Sequence, residues 1–139
     1  MFFHFIVPGP STGKGRPKFC SMGKFSKAYT PPKTKAAELD ILVRFKNSYP
    51  GAKPMDGAIF VSITATFGIP KNTSRKLGVA MLAGVVKPTK KPDIDNIIKL
   101  VLDALNGHAF TDDANVVELI CTKRYGASPA VGISIEKAE

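Results

Sequence analysis

The stretch KPDIDNIIKLVLDALNG, residues 91–107, carries Asp93, Asp95, Lys99 and Asp103, and the pair Asp112-Asp113 follows shortly after. Placed on a helix at about 100° per residue, Asp95, Lys99, Asp103 and Asn106 fall within about 80° of one another. Ile94, Ile97, Ile98, Val101, Leu102, Ala104 and Leu105 cover the opposite arc. Asp93 stands at the helix start. Close carboxylates repel unless a proton or a cation lies between them. Carboxylate oxygens suit magnesium or manganese, which keep open positions for water and phosphate. Ions so held polarise a phosphate and supply hydroxide near neutral pH. The pattern therefore points to phosphodiester hydrolysis. Each acid also has a plainer role. Asp93 serves as an N-cap, Asp95 as a dipole partner and i,i+4 mate of Lys99, and Asp112-Asp113 as turn residues.

A second candidate is PGPSTGKGRPKF, residues 8–19, which follows the apolar run 2–7. A strand entering a glycine-rich loop with a lysine suggests a nucleotide phosphate site. The spacing opposes it. A nucleotide loop needs four residues between its first glycine and Gly-Lys, then Ser or Thr for the metal. Here three residues separate Gly9 from Gly13, and Gly15 follows Lys14. The lysine still suits an anion, though not a nucleotide triphosphate. Lys14, Arg16, Lys18, Lys24 and Lys27 interleave with Phe19, Phe25 and Tyr29, a pattern fit for phosphate contact and base or sugar packing. A solvated basic loop is the alternative.

These residues need elements to position them. Residues 2–7 read as a buried strand, and 8–24 as a loop. Thr30-Pro31-Pro32 starts a helix that runs from Lys33 to about Tyr49, since proline is tolerated in the first turn. Residues 58–69 alternate apolar with small polar side chains, as a strand does. Thr73 or Ser74 caps a short helix through about Leu82, which Gly84 closes. The basic connection 87–92 leads into the helix from Asp93 to Asn106, with strands near 115–125 and 130–136. The order predicts a single α+β domain over residues 1–139, a small mixed sheet with helices packed on it.

The chain has 139 residues, a formal net charge of +9 and a pI of about 9.7. That balance points to a polyanionic partner, or to a merely basic surface. Five of the eleven acidic residues nevertheless fall within 93–113. No run approaches a membrane span, and no basic leader precedes the first apolar run. Cys20 and Cys121 form no metal-ligand pair and read as reduced thiols, so a cytoplasmic location is expected. His4 and His108 are isolated.

The segments KPDIDNIIKLVLDALNG and FTDDANVVEL together resemble the signature of the RusA family of Holliday junction resolvases, common in phages and prophages. VPGPSTGKGRPKF is similar to that family's N-terminal Gly-Lys-Gly-Arg-Pro stretch, and TKRYGASPAVGISI to its closing strands. The resemblance implies that Asp93, Asp95 and Asp113 bind the metal and that Lys99 is the catalytic lysine. It further implies a magnesium-dependent homodimer, with manganese able to substitute, that resolves four-way junctions and related branched DNA by paired cuts during recombination and repair. The alternative from another class is a non-catalytic nucleic-acid-binding protein whose acidic cluster is structural.

Overall fold

A computed structural model describes residues 1–23 and 25–139, with the side chains of residues 20–22, 25 and 26 outside that description. Lys24 and the side chains of Cys20 and Phe25, all singled out above, lie outside the described residues.

Six strands and three helices follow in the order β1 (Phe2–Pro8), β2 (Lys18–Met22), β3 (Phe25–Tyr29), α1 (Pro32–Ser48), β4 (Ile59–Gly68), α2 (Arg75–Leu82), α3 (Ile94–Leu105), β5 (Val116–Gly126) and β6 (Ala130–Lys137), with a short 3-10 turn at Asp113–Asn115. The fold is α+β: a four-stranded mixed sheet with strand order β1-β6-β4-β5. β6 pairs antiparallel with both β1 and β4, and β4 pairs parallel with β5. A parallel neighbour requires a long crossover. Residues 69–115 provide it, and α2 and α3 lie within it.

Period-two alternation sets which face is covered. Ile59, Val61, Ile63 and Ala65 of β4 and Ile133 and Ile135 of β6 are fully buried, while their neighbours are only partly covered. The helices α1 and α3 pack on the buried side. Phe45 of α1 meets Phe3 of β1 edge-on at 5.0 Å, and Tyr49 meets Phe3 at 4.8 Å, so aromatic contacts fix α1 against the sheet edge.

Two expectations need correction. β1 is an edge strand buried on one face only: Phe3, Phe5 and Val7 point inward, whereas Phe2 and Ile6 are more than half exposed. A continuous apolar run cannot distinguish a central strand from an edge with apolar residues on both faces. The segment after Pro17 is not loop either. β2 and β3 form a separate two-stranded ribbon in which Lys18 lies opposite Tyr29.

α3 buries Ile97, Leu100, Val101, Ala104 and Leu105, while Ile94 stays exposed. The apolar arc is therefore centred closer to Leu100 than the wheel suggested, and Ile94 at the helix start stays outside the core. At about 1.5–3 kcal/mol for each large buried side chain, this face anchors the helix that carries the acidic residues.

Candidate active site

Asp93 occupies the N-cap position of α3, and its carbonyl accepts hydrogen bonds from the amides of Asn96 and Ile97 at 3.1 Å each. Its carboxylate makes no cap hydrogen bond and is exposed. The capping role expected of that side chain is not taken up, which leaves the group available. Asp95 and Lys99 are likewise exposed on the polar face. Their expected ion pair does not form; among the described residues the ion pairs are Lys14–Glu38, Lys14–Asp103 and Arg44–Asp40.

The N-terminal loop docks directly on this helix. The Lys14 amide donates to the Asn96 carbonyl at 2.9 Å, and the Gly15 amide donates to Thr34 Oγ1 of α1 at 3.1 Å. A Cβ on Gly13 would sit 2.9 Å from Pro92 Cβ, closer than such atoms approach, and 3.1 Å from Asn96 Cβ, a tight contact. Glycine is required there by contact. The loop thus wedges between the starts of α1 and α3.

The Lys14 ammonium bridges the two helices, 2.5 Å from Glu38 Oε1 and 3.0 Å from Asp103 Oδ2. Desolvation works against its charge, but hydrogen bonds to Glu38 and Asp103, with their charges, outweigh it and raise its pKa. Two carboxylates therefore already hold this cation. Arg16, Lys18 and Lys27 are exposed. Opposite and alternate positions of an antiparallel ribbon share a face, which puts Lys18, Lys27 and Tyr29 on the same side of β2–β3.

A groove of about 590 Å³ runs along this junction, and its walls include Lys14, Lys18, Lys33, Lys91, Asp93 and Asn96. Basic residues from three segments thus share one groove with the first aspartate. Lys33 and Lys91 are members that the sequence reading missed. The position of Lys91 just before Pro92-Asp93 was the available signal for one, and nothing local marked the other. Ser11 Oγ, buried in the same wall, has no hydrogen-bond partner.

Asp112 and Asp113 lie at the other end of α3. The Asp113 amide donates to Asn106 Oδ1 at 3.0 Å, and Asn106 is the C-cap of α3. Asp112 Oδ1 accepts from the Ala114 amide at 3.2 Å, which, followed by a hydrogen bond with the Asp113 carboxyl, holds Asp112 below the ordinary aspartate range. Asp113 is raised, first by that hydrogen bond with Asp112, then by desolvation and by the charges of Asp112 and Asp103. Twelve helical residues span roughly 18 Å, so Asp113 neighbours Asp103 rather than Asp93.

Family comparison bears directly on this arrangement. The sequence profile described as "Endodeoxyribonuclease RusA" matches residues 8–136, from the end of β1 to the end of the sheet. The chain belongs to the RusA family. It is also 29% identical over 135 residues to YqaN of Bacillus subtilis (strain 168), described as an uncharacterized protein, with 96% of this chain and 94% of YqaN covered.

RusA endodeoxyribonucleases imply a divalent metal, and the donors of this chain can be tested against one. The chemistry fits: Asp93 and Asp95 offer exposed carboxylate oxygens with no ion-pair partner among the described residues, the donor type that magnesium takes. Among the described residues no three acidic, histidine or cysteine side chains are gathered closely enough to hold an ion between them. Asp93 lines the basic groove, and Asp95 follows it in the first turn of α3. No helix is long and apolar enough to cross a membrane.

Proposed function

We propose that this RusA-family chain is a metal-dependent endonuclease that resolves Holliday junctions and related branched DNA by hydrolysing phosphodiesters. One observation carries the reading: the groove that collects Lys18, Lys33 and Lys91 also contains Asp93. A strand drawn in by the lysines brings its phosphates to the carboxylates at the start of α3.

In this reading Asp93 and Asp95 hold magnesium, or manganese in its place, with Asp113 as the third ligand. The ion supplies a polarised phosphate and an activated water. The protein does the rest. Arg16, Lys18 and Lys27 bind the flanking backbone, and the Lys14 clamp fixes the loop on α3. Lys99 lies one turn beyond Asp95 on the same face, unpaired among the described residues, and stabilises charge that develops on the phosphate. Asp112, committed to the Ala114 amide, leaves Asp113 as the better ligand of that pair.

The separation of Asp93 from Asp113 along α3 gives the homodimer a chemical reason. A two-fold pairing that sets the start of one α3 beside the Asp112-Asp113 turn of a second copy gathers all three carboxylates, twice. Two such centres match the two opposed strands of a four-way junction.

The decisive experiment is cleavage of a synthetic four-way junction with magnesium and with EDTA, for wild type and Asp95→Asn. Paired nicks that need magnesium and vanish in Asp95→Asn, with junction binding retained, support the reading. Tight binding without magnesium-dependent cleavage would leave a non-catalytic DNA-binding protein.

A further inference from the structure

The connection 87–92, whose Pro92 end meets the N-terminal loop, lies at Lys90 against the end of the sheet. Lys123 Nζ of β5 donates to the Lys90 carbonyl at 2.6 Å, tying the connection to the strand. The same ammonium lies 5.2 Å from the centre of the Phe67 ring. Lys90 Nζ lies 5.8 Å from that ring and 6.0 Å from the ring of Tyr125. Phe67 and Tyr125 are direct partners across β4 and β5, so one aromatic pair collects two ammonium groups. Neither ammonium has a carboxylate within ion-pairing distance among the described residues.

We propose that Lys90 and Lys123 form a second phosphate site, which holds the DNA strand beyond the scissile position; this rests on the nuclease reading above. The physical argument mirrors the one for converging carboxylates. Two like charges held by one aromatic pair repel, ring faces offset that only in part, and an oxyanion between them removes it. The neighbourhood favours nucleic acid over a free anion. Lys90 is three residues ahead of Asp93, so their α-carbons are at most about 11 Å apart. Side-chain reach adds to that separation, so at a rise of about 3.4 Å per nucleotide the site lies within a few nucleotides of the carboxylates. A strand leaving the groove at Lys91 and Asp93 thus meets Lys90 and Lys123 next.

The site reads backbone and not bases. Phe67 is only 8% exposed and Tyr125 is half-buried beside the Lys90 ammonium, so the aromatic pair supports the lysines rather than a stacked base. The contact is therefore independent of sequence, as a junction-selective enzyme requires on the arm flanking its cut.

Salt dependence of junction binding in EDTA tests this for wild type, Lys90→Gln/Lys123→Gln and Lys90→Arg/Lys123→Arg. The glutamine pair should flatten the slope of log K against log salt by about two per chain, and the arginine pair should restore it. A neutral methylphosphonate, moved in turn through the phosphates flanking the cut, should at one of them weaken wild type about tenfold and the glutamine pair hardly at all. A glutamine pair with the wild-type slope, whatever its melting temperature, overturns the site and reduces Lys123 to a tether. Cleavage separates the two readings. If wild type fails to cut branched DNA in magnesium while the slope still falls, the nuclease reading fails and the phosphate site stands.

Discussion

The Lys14 ammonium lies 3.0 Å from the Asp103 carboxylate, joining a loop near the start of the chain to the polar face of α3. Lys14→Met keeps the stem and removes the charge, leaving Glu38 and Asp103 without a counter-ion. About 1 kcal/mol of stability should be lost at pH 7, measured by urea unfolding. A raised lysine pKa contributes stability below the ordinary value of 10.5 and loses it as pH climbs through the folded value. The gap between wild type and Lys14→Met should therefore hold steady from pH 6 to 9 and close above about 10.5. A gap that closes on acidification through neutral pH would contradict this assignment.

Gly13 is a test by volume. Gly13→Ala places a methyl 2.9 Å from Pro92 Cβ, so the loop must lift from α3. A cost of about 1–3 kcal/mol is expected, with a larger loss of junction cleavage than of stability because the groove wall moves. Gly132→Ala, whose new methyl would meet nothing within 4 Å and whose backbone is not left-handed, should leave cleavage unchanged. Equal loss of cleavage in both variants would detach the effect from loop docking.

Lys99 carries no ion pair among the described residues, so Lys99→Ala should leave the unfolding midpoint within error. Its single-turnover cleavage rate should fall on the order of 100-fold, about 3 kcal/mol of barrier, with junction binding retained. Lys99→Arg should recover only part, because a planar guanidinium does not occupy the place of an ammonium. A Lys99→Ala rate within a few-fold of wild type would return Lys99 to an ordinary surface role.

The Asp112-Asp113 pair predicts a titration. The Asp112 carboxyl is the first cause of the raised Asp113 pKa, so Asp112→Asn should bring Asp113 down toward the ordinary aspartate value. Carboxyl carbon shifts followed against pH in EDTA measure it. In wild type the two shifts act oppositely on stability. The lowered Asp112 favours the fold as pH rises through the acid range, and the raised Asp113 disfavours it. Little net pH dependence should come from this turn. An unmoved Asp113 would show that desolvation, not its neighbour, sets the shift.

Much of this was legible because it is local and periodic. The spacing of Asp95, Lys99 and Asp103 gave their common exposed face, and Ser74 caps α2 by accepting from Leu77 as a capping serine should. The site's other half depends on distance in sequence. Lys14 finds Glu38 twenty-four residues on, and Lys123 reaches the carbonyl of Lys90 across the sheet end. No window of sequence contains such pairs. The ribbon 18–29 was hidden by its own composition, since Gly, Lys and Ser read as loop and its strands are only five residues each. The placement of Asp113 beside Asp103 depends on how residues 106–112 turn back. Backbone bonds such as Gly107 to the Phe110 carbonyl and Thr111 to the Met55 carbonyl hold that turn, and Asn106 Oδ1 completes it by accepting from the Asp113 amide.

The strand order β1-β6-β4-β5 places the last strand made between the first and the fourth. During synthesis β1 has no partner in the sheet, and one edge of β4 stays open, until Ala130–Lys137 has emerged. A chain released early exposes two unsatisfied strand edges and is marked for aggregation or proteolysis. The basic groove and its carboxylates, all encoded before residue 114, thus wait for a strand that contributes none of them. A chain cut short before residue 130 therefore presents that groove on a sheet that has not closed, because β6 alone joins β1 to β4.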